Sequence, residues 1–203
     1  MKNVAILIIC FIVHSFGYAQ IIRDVDKISP FYEEFSAIKK GVQWAFINKN
    51  GVKVIDFRED LVSSKTEEVS IGYPVFKDGR CLFRKLNDGA YYYGYIDKNG
   101  RQIIAPKYLN ATNFENGYAI VITLEKEVIG FNESLGKNVV SYTLKEFIID
   151  TSGKTIKKLD SDRNYVKLKY KTDNQPRFYS KFIGPHLIAV QTTDALKYNI
   201  YKF

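Results

Sequence analysis

Few side chains in this 203-residue chain could do chemistry, and their types narrow what that chemistry would be. Beyond residue 19 the chain keeps a single histidine, His186, and a single cysteine, Cys81. Nucleophilic catalysis needs a hydroxyl or thiol beside a base that a third group orients. His186, in Pro185-His186-Leu187, reads as a turn residue at a strand entrance. Cys81, between Arg80 and Leu82, reads as a buried thiol; Arg80 and Arg84 would lower its pKa only if it were exposed. One histidine and one cysteine do not make a metal site of those ligands, nor a disulfide within the chain. The sequence has no glycine-rich phosphate cradle followed by a helix. No catalytic, metal-binding or cofactor-binding residue is assigned, and no cofactor is expected.

Carboxylates offer the one route to an enzyme. Glu125, Glu127, Glu133 and Glu146 cluster in sequence, and glycoside hydrolysis uses two carboxyl groups about 5–10 Å apart. No motif fixes such a pair here, so the four are read as solvated charges. Two other groups could meet a partner. Tyr92 alternates with Tyr91 and Tyr93 and should project away from the core side, near Arg84 and Lys85, where it could stack on a sugar or anchor a protein. Lys167, Lys169 and Lys171 alternate with Val166, Leu168 and Tyr170, the pattern of a half-buried strand with a basic outer face. They belong to the stretch 154–181, which carries a net charge of +6 out of the formal +8 of the chain. Attraction to acidic partners should concentrate there.

Hairpins must position these groups. Asn48-Lys49-Asn50-Gly51, Asp97-Lys98-Asn99-Gly100 and Asp150-Thr151-Ser152-Gly153 each lie between apolar strand-like runs. The first residue can accept bonds from amides of its own turn, and the glycine takes the positive-φ position that closes a type I turn with a bulge. The predicted hairpins pair Trp44–Ile47 with Val52–Phe57, Tyr93–Ile96 with Arg101–Ala105, and Phe147–Ile149 with Lys154–Lys158. A second element recurs upstream: Phe76-Lys77-Asp78-Gly79 leads into Arg80–Arg84, and Phe114-Glu115-Asn116-Gly117 leads into Tyr118–Val121. Fainter copies run over Phe31–Lys39, with Glu34 in the glycine place, and over Phe182–Val190. Four units result, the last truncated. Three segments interrupt them: a polar loop with a short edge strand over 58–73, an inserted hairpin over 124–143, and the basic segment 158–181. Outside the leader, only Pro30–Phe35 hints at a helical turn. The predicted fold is all-β, with antiparallel hairpin repeats in a twisted meander that could curl into a barrel or solenoid. Trp44 and Tyr93 take equivalent places, as do Phe46, Tyr95 and Ile148, and these rings should build one continuous core.

The run Tyr93-Gly94-Tyr95-Ile96-Asp97-Lys98-Asn99-Gly100, with Gln102–Tyr108 and Phe114–Val121 behind it, resembles the bacterial WG-repeat family, named for a Trp-Gly pair opening each unit. Tyr93 stands in the tryptophan place, Trp44 is followed by Ala45, and the third unit has Glu146-Phe147 there. The resemblance implies an exported, all-β bacterial repeat protein with no catalytic residues to carry over.

The N-terminus reads as an export signal: Lys2, the apolar run Val4–Val13, then Gly17-Tyr18-Ala19. The apolar run is half the length of a membrane-spanning helix, which needs about 20 residues. Cleavage is expected before Gln20, leaving residues 20–203 as a single repeat domain, periplasmic or secreted, with no transmembrane span. Three functions fit this pattern. The favoured one is a non-enzymatic module that binds a protein or an envelope polysaccharide, or serves a structural role, with no nucleic-acid partner expected. The others are a carbohydrate-active hydrolase using the acidic residues of 124–146, and an electrostatic binder of acidic polymers through 154–181.

Overall fold

An Asx residue and a glycine three places apart in a turn leave the backbone little choice, and the three repeated turns adopt the same geometry. Asn48 Oδ1 accepts from the amides of Asn50 and Val52, both at 3.0 Å. Asp97 Oδ1 does the same for Asn99 and Arg101 at 2.9 and 2.8 Å, and Asp150 Oδ1 for Ser152 and Lys154 at 2.9 and 3.0 Å. Gly51, Gly100 and Gly153 follow with φ of 74°, 76° and 86°. A side chain is disfavoured in that left-handed region, so glycine ends each turn.

The computed structural model describes residues 22–66, 69–164, 175–192 and 197–203. The expected leader and the alternating strand with Lys167, Lys169 and Lys171 lie outside these residues. The described residues form four antiparallel sheets, each a meander of neighbouring strands, plus one short ribbon. The first sheet is β1 (Lys27–Ile28), β2 (Phe35–Lys40), β3 (Gln43–Asn48) and β4 (Lys53–Arg58). The polar segment after it forms the ribbon of β5 (Ser64–Thr66) and β6 (Val69–Tyr73). The second sheet is β7 (Phe76–Lys77), β8 (Arg80–Asn87), β9 (Ala90–Ile96) and β10 (Gln102–Tyr108). The third is β11 (Asn110–Ala111), β12 (Tyr118–Asn132), β13 (Lys137–Asp150), β14 (Thr155–Lys158) and β15 (Arg163–Asn164). The fourth is β16 (Ser180–Gly184), β17 (Leu187–Gln191) and β18 (Tyr198–Lys202).

The turn entering each second strand is a two-residue reversal. At Asp78-Gly79 and Asn116-Gly117 both residues have positive φ, as in a type I′ hairpin. Pro30–Phe35 holds no helical turn. Glu33 and Glu34 make the same reversal at φ of 44° and 77°, closed by mutual bonds between the backbones of Tyr32 and Phe35.

The core is divided into three layers between successive sheets, where one shared interior was expected. The cause is strand alternation: residues i and i+1 point to opposite faces, so a sheet covered on both sides feeds two layers. In β8, Cys81 and Phe83 pack with Trp44, Phe46 and Ile55 of the first sheet. Leu82, between them, packs with Tyr93, Tyr95 and Ile104 against Phe114, Val121 and Ile149 of the third. In β12 and β13, Ile120 and Ile148 turn the other way, to Ile188 and Val190 of the fourth sheet. A buried side chain of this size contributes about 1.5–3 kcal/mol, so each layer holds its sheets together without a disulfide.

Polar contacts that join the first three sheets lie at the end of the strands that carries the repeated turns. The Gly79 amide donates to Glu33 Oε2 at 2.9 Å, and the Gly117 amide to Asp78 Oδ2 at 2.6 Å. Arg80 Nε donates to the Thr151 carbonyl at 2.8 Å. Each carboxylate thus caps an amide in the next sheet.

Candidate functional site

The third sheet departs most from the others. Its second and third strands run on well past their neighbours, so the expected inserted hairpin is an extension of the repeat's own hairpin. Beyond Glu125 and Thr143, β12 and β13 pair only with each other among the described residues. Eight residues at about 3.3 Å each give a ribbon some 25 Å long. Its tip is closed by Asn132 Oδ1, which accepts from the Leu135 amide at 3.0 Å. Val128, Ile129, Phe131 and Leu135 are 57–69% exposed, and Val139 is 42% exposed. Apolar side chains exposed in one contiguous element mark a surface that meets something, whereas scattered single ones do not.

The four carboxylates do not converge. From Tyr118 to Val128 the pairing of β12 with β13 is unbroken, with Ile122 opposite Glu146 and Glu125 opposite Thr143. Alternation therefore puts Glu146 on one face of the ribbon and Glu125 and Glu127 on the other. Glu125 forms an ion pair with Lys145, while Glu127 and Glu133 are exposed. Glu146 was read as a solvated charge, and that is corrected: it is 2% exposed. Its Oε1 accepts from the Tyr179 amide at 2.6 Å and its Oε2 from the Ser180 hydroxyl, tying the third sheet to the fourth. Register could have revealed this. Four residues before the turn Asx, Glu146 occupies the place of buried Trp44 and Tyr93.

Tyr92 and Lys85 are cross-strand partners on one face, Tyr92 half-buried and Lys85 exposed. Arg84 is not with them. It pairs in register with Tyr93 on the opposite face, its guanidinium 4.0 Å from the centroid of the Tyr91 ring. The tyrosine, lysine and arginine expected to form one patch thus lie on two faces. Cys81 is fully buried, and that burial pushes its thiol well above the ordinary range, so it stays protonated. His186 is exposed in the turn before β17, at φ 59°, its ring edge-on to Tyr118 and Phe203. Among the described residues no cluster of three or more His, Cys, Asp or Glu could hold a metal ion, and no helix is long and apolar enough to cross a membrane. A groove of about 710 Å³ runs beside the repeated turns at Glu33, Asp78 and Asn116. Glu33 and Asp78 there are already engaged by the amides of Gly79 and Gly117.

Gly94 is the glycine of the pair expected to open a repeat. A Cβ there would lie 2.4 Å from the Ile104 carbonyl oxygen, 2.8 Å from Pro106 N and 2.9 Å from the Ala105 carbonyl carbon. The backbone of β10 crosses this position, which explains why glycine follows the buried aromatic. The family model of the WG containing repeat matches residues 93–125, from Tyr93 in β9 to Glu125 in β12. This stretch is similar to a WG repeat. The matched stretch therefore begins on the third strand of the second sheet and ends on the second strand of the third, spanning a stacking layer. Within it, the Tyr95 hydroxyl donates to the Thr112 carbonyl at 2.6 Å, across that layer. No curated protein and no solved structure matches the chain.

Proposed function

We propose that this WG-repeat chain is an exported, non-enzymatic binding module whose β12–β13 ribbon engages a protein partner. The observation that carries this is the set of exposed side chains at Val128, Ile129, Phe131, Leu135 and Val139, on the part of the ribbon that runs past the neighbouring strands. Four of the five are aliphatic. A protein surface buries such groups readily, while a polysaccharide asks for flat exposed rings, and Phe131 is the sole ring in this set. Ribbon charges are mixed, with Glu125, Lys126, Glu127, Glu133 and Lys137, so contact here is driven by apolar burial more than by attraction to an acidic polymer. Glu146 is separated from Glu125 and Glu127 by the thickness of the ribbon and is held by Tyr179 and Ser180, and Glu125 is engaged by Lys145, which weighs against a glycoside-hydrolase pair built with either.

The test is affinity capture from the cell envelope with the wild-type protein beside a Phe131→Ser, Leu135→Ser variant. A specific protein should be retained by the first and lost with the second, at unchanged thermal stability. Equal recovery on both would refute the ribbon as the binding element. Export is checked separately by N-terminal sequencing of the natural protein, which should begin at Gln20.

A further inference from the structure

One cross-strand pair recurs in register across the four sheets. It is Ala37–Phe46 in the first, Leu82–Tyr95 in the second and Ile120–Ile148 in the third. All six side chains are at most 4% exposed, because the next sheet lies on that face. The counterpart in the fourth sheet is Ala189–Ile200; the small Ala189 is 4% exposed, but Ile200 is 65% exposed. By alternation, Ile183, Leu187 and Tyr198 share its face and are 45%, 38% and 50% exposed. Phe182, Ile188 and Val190, on the opposite face, pack into the third layer. The fourth sheet thus presents an apolar stacking surface that no described residues cover.

We propose that a second copy of this chain covers this face, the two fourth sheets stacking about a two-fold axis. One observation selects that occupant. The face continues a series of three sheet-on-sheet interfaces, so what fits it is another sheet of this kind. Pairing like faces about a two-fold axis buries the surface on both copies at once and closes the assembly at two. Lys181 and Lys202 stand on the same face, with the Lys181 amine 5.4 Å from the Tyr198 ring centroid. Long lysines keep their charges at a rim while the aliphatic centre is buried. Like charges facing each other across the dimer make association tighten as salt rises, opposite to binding of an acidic polymer.

Sedimentation equilibrium of the purified full chain tests this. The expected result is a reversible dimer whose Kd does not rise with salt, and whose Kd increases about tenfold or more, equivalent to 1.4 kcal/mol, in Ile200→Asp. Ile183→Asp should act in the same direction. Both variants should keep the melting temperature of the wild-type monomer, since both side chains are exposed in the single chain. Phe131→Ser should leave the Kd unchanged, which separates this interface from the ribbon. A monomer at every concentration up to about 100 μM, or a dimer indifferent to both aspartates, would overturn the proposal.

Discussion

The second and third sheets share one turn and one register yet differ sharply at several face positions. Tyr93 of the second becomes Glu146, Gly94 becomes Phe147, and Ile104 becomes Lys157, while Asp97 and Asp150 bind their own turn amides within 0.2 Å of each other. The turn is a local device, satisfied by an Asx oxygen and a glycine whatever lies beyond it. A face position answers to the sheet that covers it. Tyr93 meets a wall of rings and aliphatics, whereas Glu146 meets the Tyr179 amide and the Ser180 hydroxyl and is as deeply buried.

The sharpest way to break this contrast is to give the second sheet a side chain where the third has one. Gly94→Ala drives a methyl group into the β10 backbone. It should cost about 3 kcal/mol or more, at the top of the range for overpacking, read by urea unfolding. Removing the bulkier Phe147 side chain should leave its backbone partners in place, so a Gly94→Ala variant as stable as the wild type would mean that the close crossing at β10 is not real. Next in size is Glu146→Ala, which strands a buried amide and hydroxyl at about 1–3 kcal/mol for each unsatisfied group. Glu146→Gln, which keeps an acceptor, should recover part of the loss; if the alanine variant melts with the wild type, the bridge to the fourth sheet carries no weight.

Asp97→Ala and Asp150→Ala should each lose about 1 kcal/mol, the usual net worth of such bonds, with Asp150→Ala losing somewhat more because its carboxylate also accepts from the Ser152 hydroxyl. In a Ser152→Ala background the two values should agree within a few tenths, and a large inequality there would show that the turns feel the sheets around them. The smallest effect concerns pH. The Asp150 carboxyl is held below its ordinary value, chiefly by the Ser152 hydroxyl and then by the amides of Lys154 and Ser152. A depressed folded pKa stabilises the folded state above the unfolded value, about 3.9, and that stabilisation fades as pH falls through the folded value. The difference in stability between wild type and Asp150→Ala should therefore be flat at neutral pH and shrink only below about pH 4. The group is almost fully solvent-exposed, so screening keeps the effect small.

This division also explains what could be read without coordinates. The three Asx turns, their flanking strands and the all-β fold were legible because each rests on a few adjacent residues. The layering was not, because period-2 alternation tells which residues share a face but not whether both faces are covered. Hence Leu82 and Phe83 look alike in sequence but serve different layers. Glu146 was misread for the same reason: a carboxylate in a core place is recognisable only with its partner, and that partner is 33 residues away. Arg84 was grouped with Lys85 by proximity in sequence, although neighbours on a strand point apart. The ribbon was legible as a hairpin but not as an extension, since nothing in residues 124–143 marks where stacking stops.

The stitching of the first three sheets at the Asx-turn end has a further consequence. Glu33, Asp78 and Arg80 all fasten neighbours at the Asx-turn end, and the hairpin tips at Gly41, Gly89 and Gly136 point the other way. Over the first three units the second strand grows toward those tips, from six residues in β2 to eight in β8 and fifteen in β12. Such a scaffold has an anchored root and an unconstrained crown. A foreign loop spliced between Asp88 and Gly89 should be carried without disturbing the layers beneath, much as the natural ribbon is.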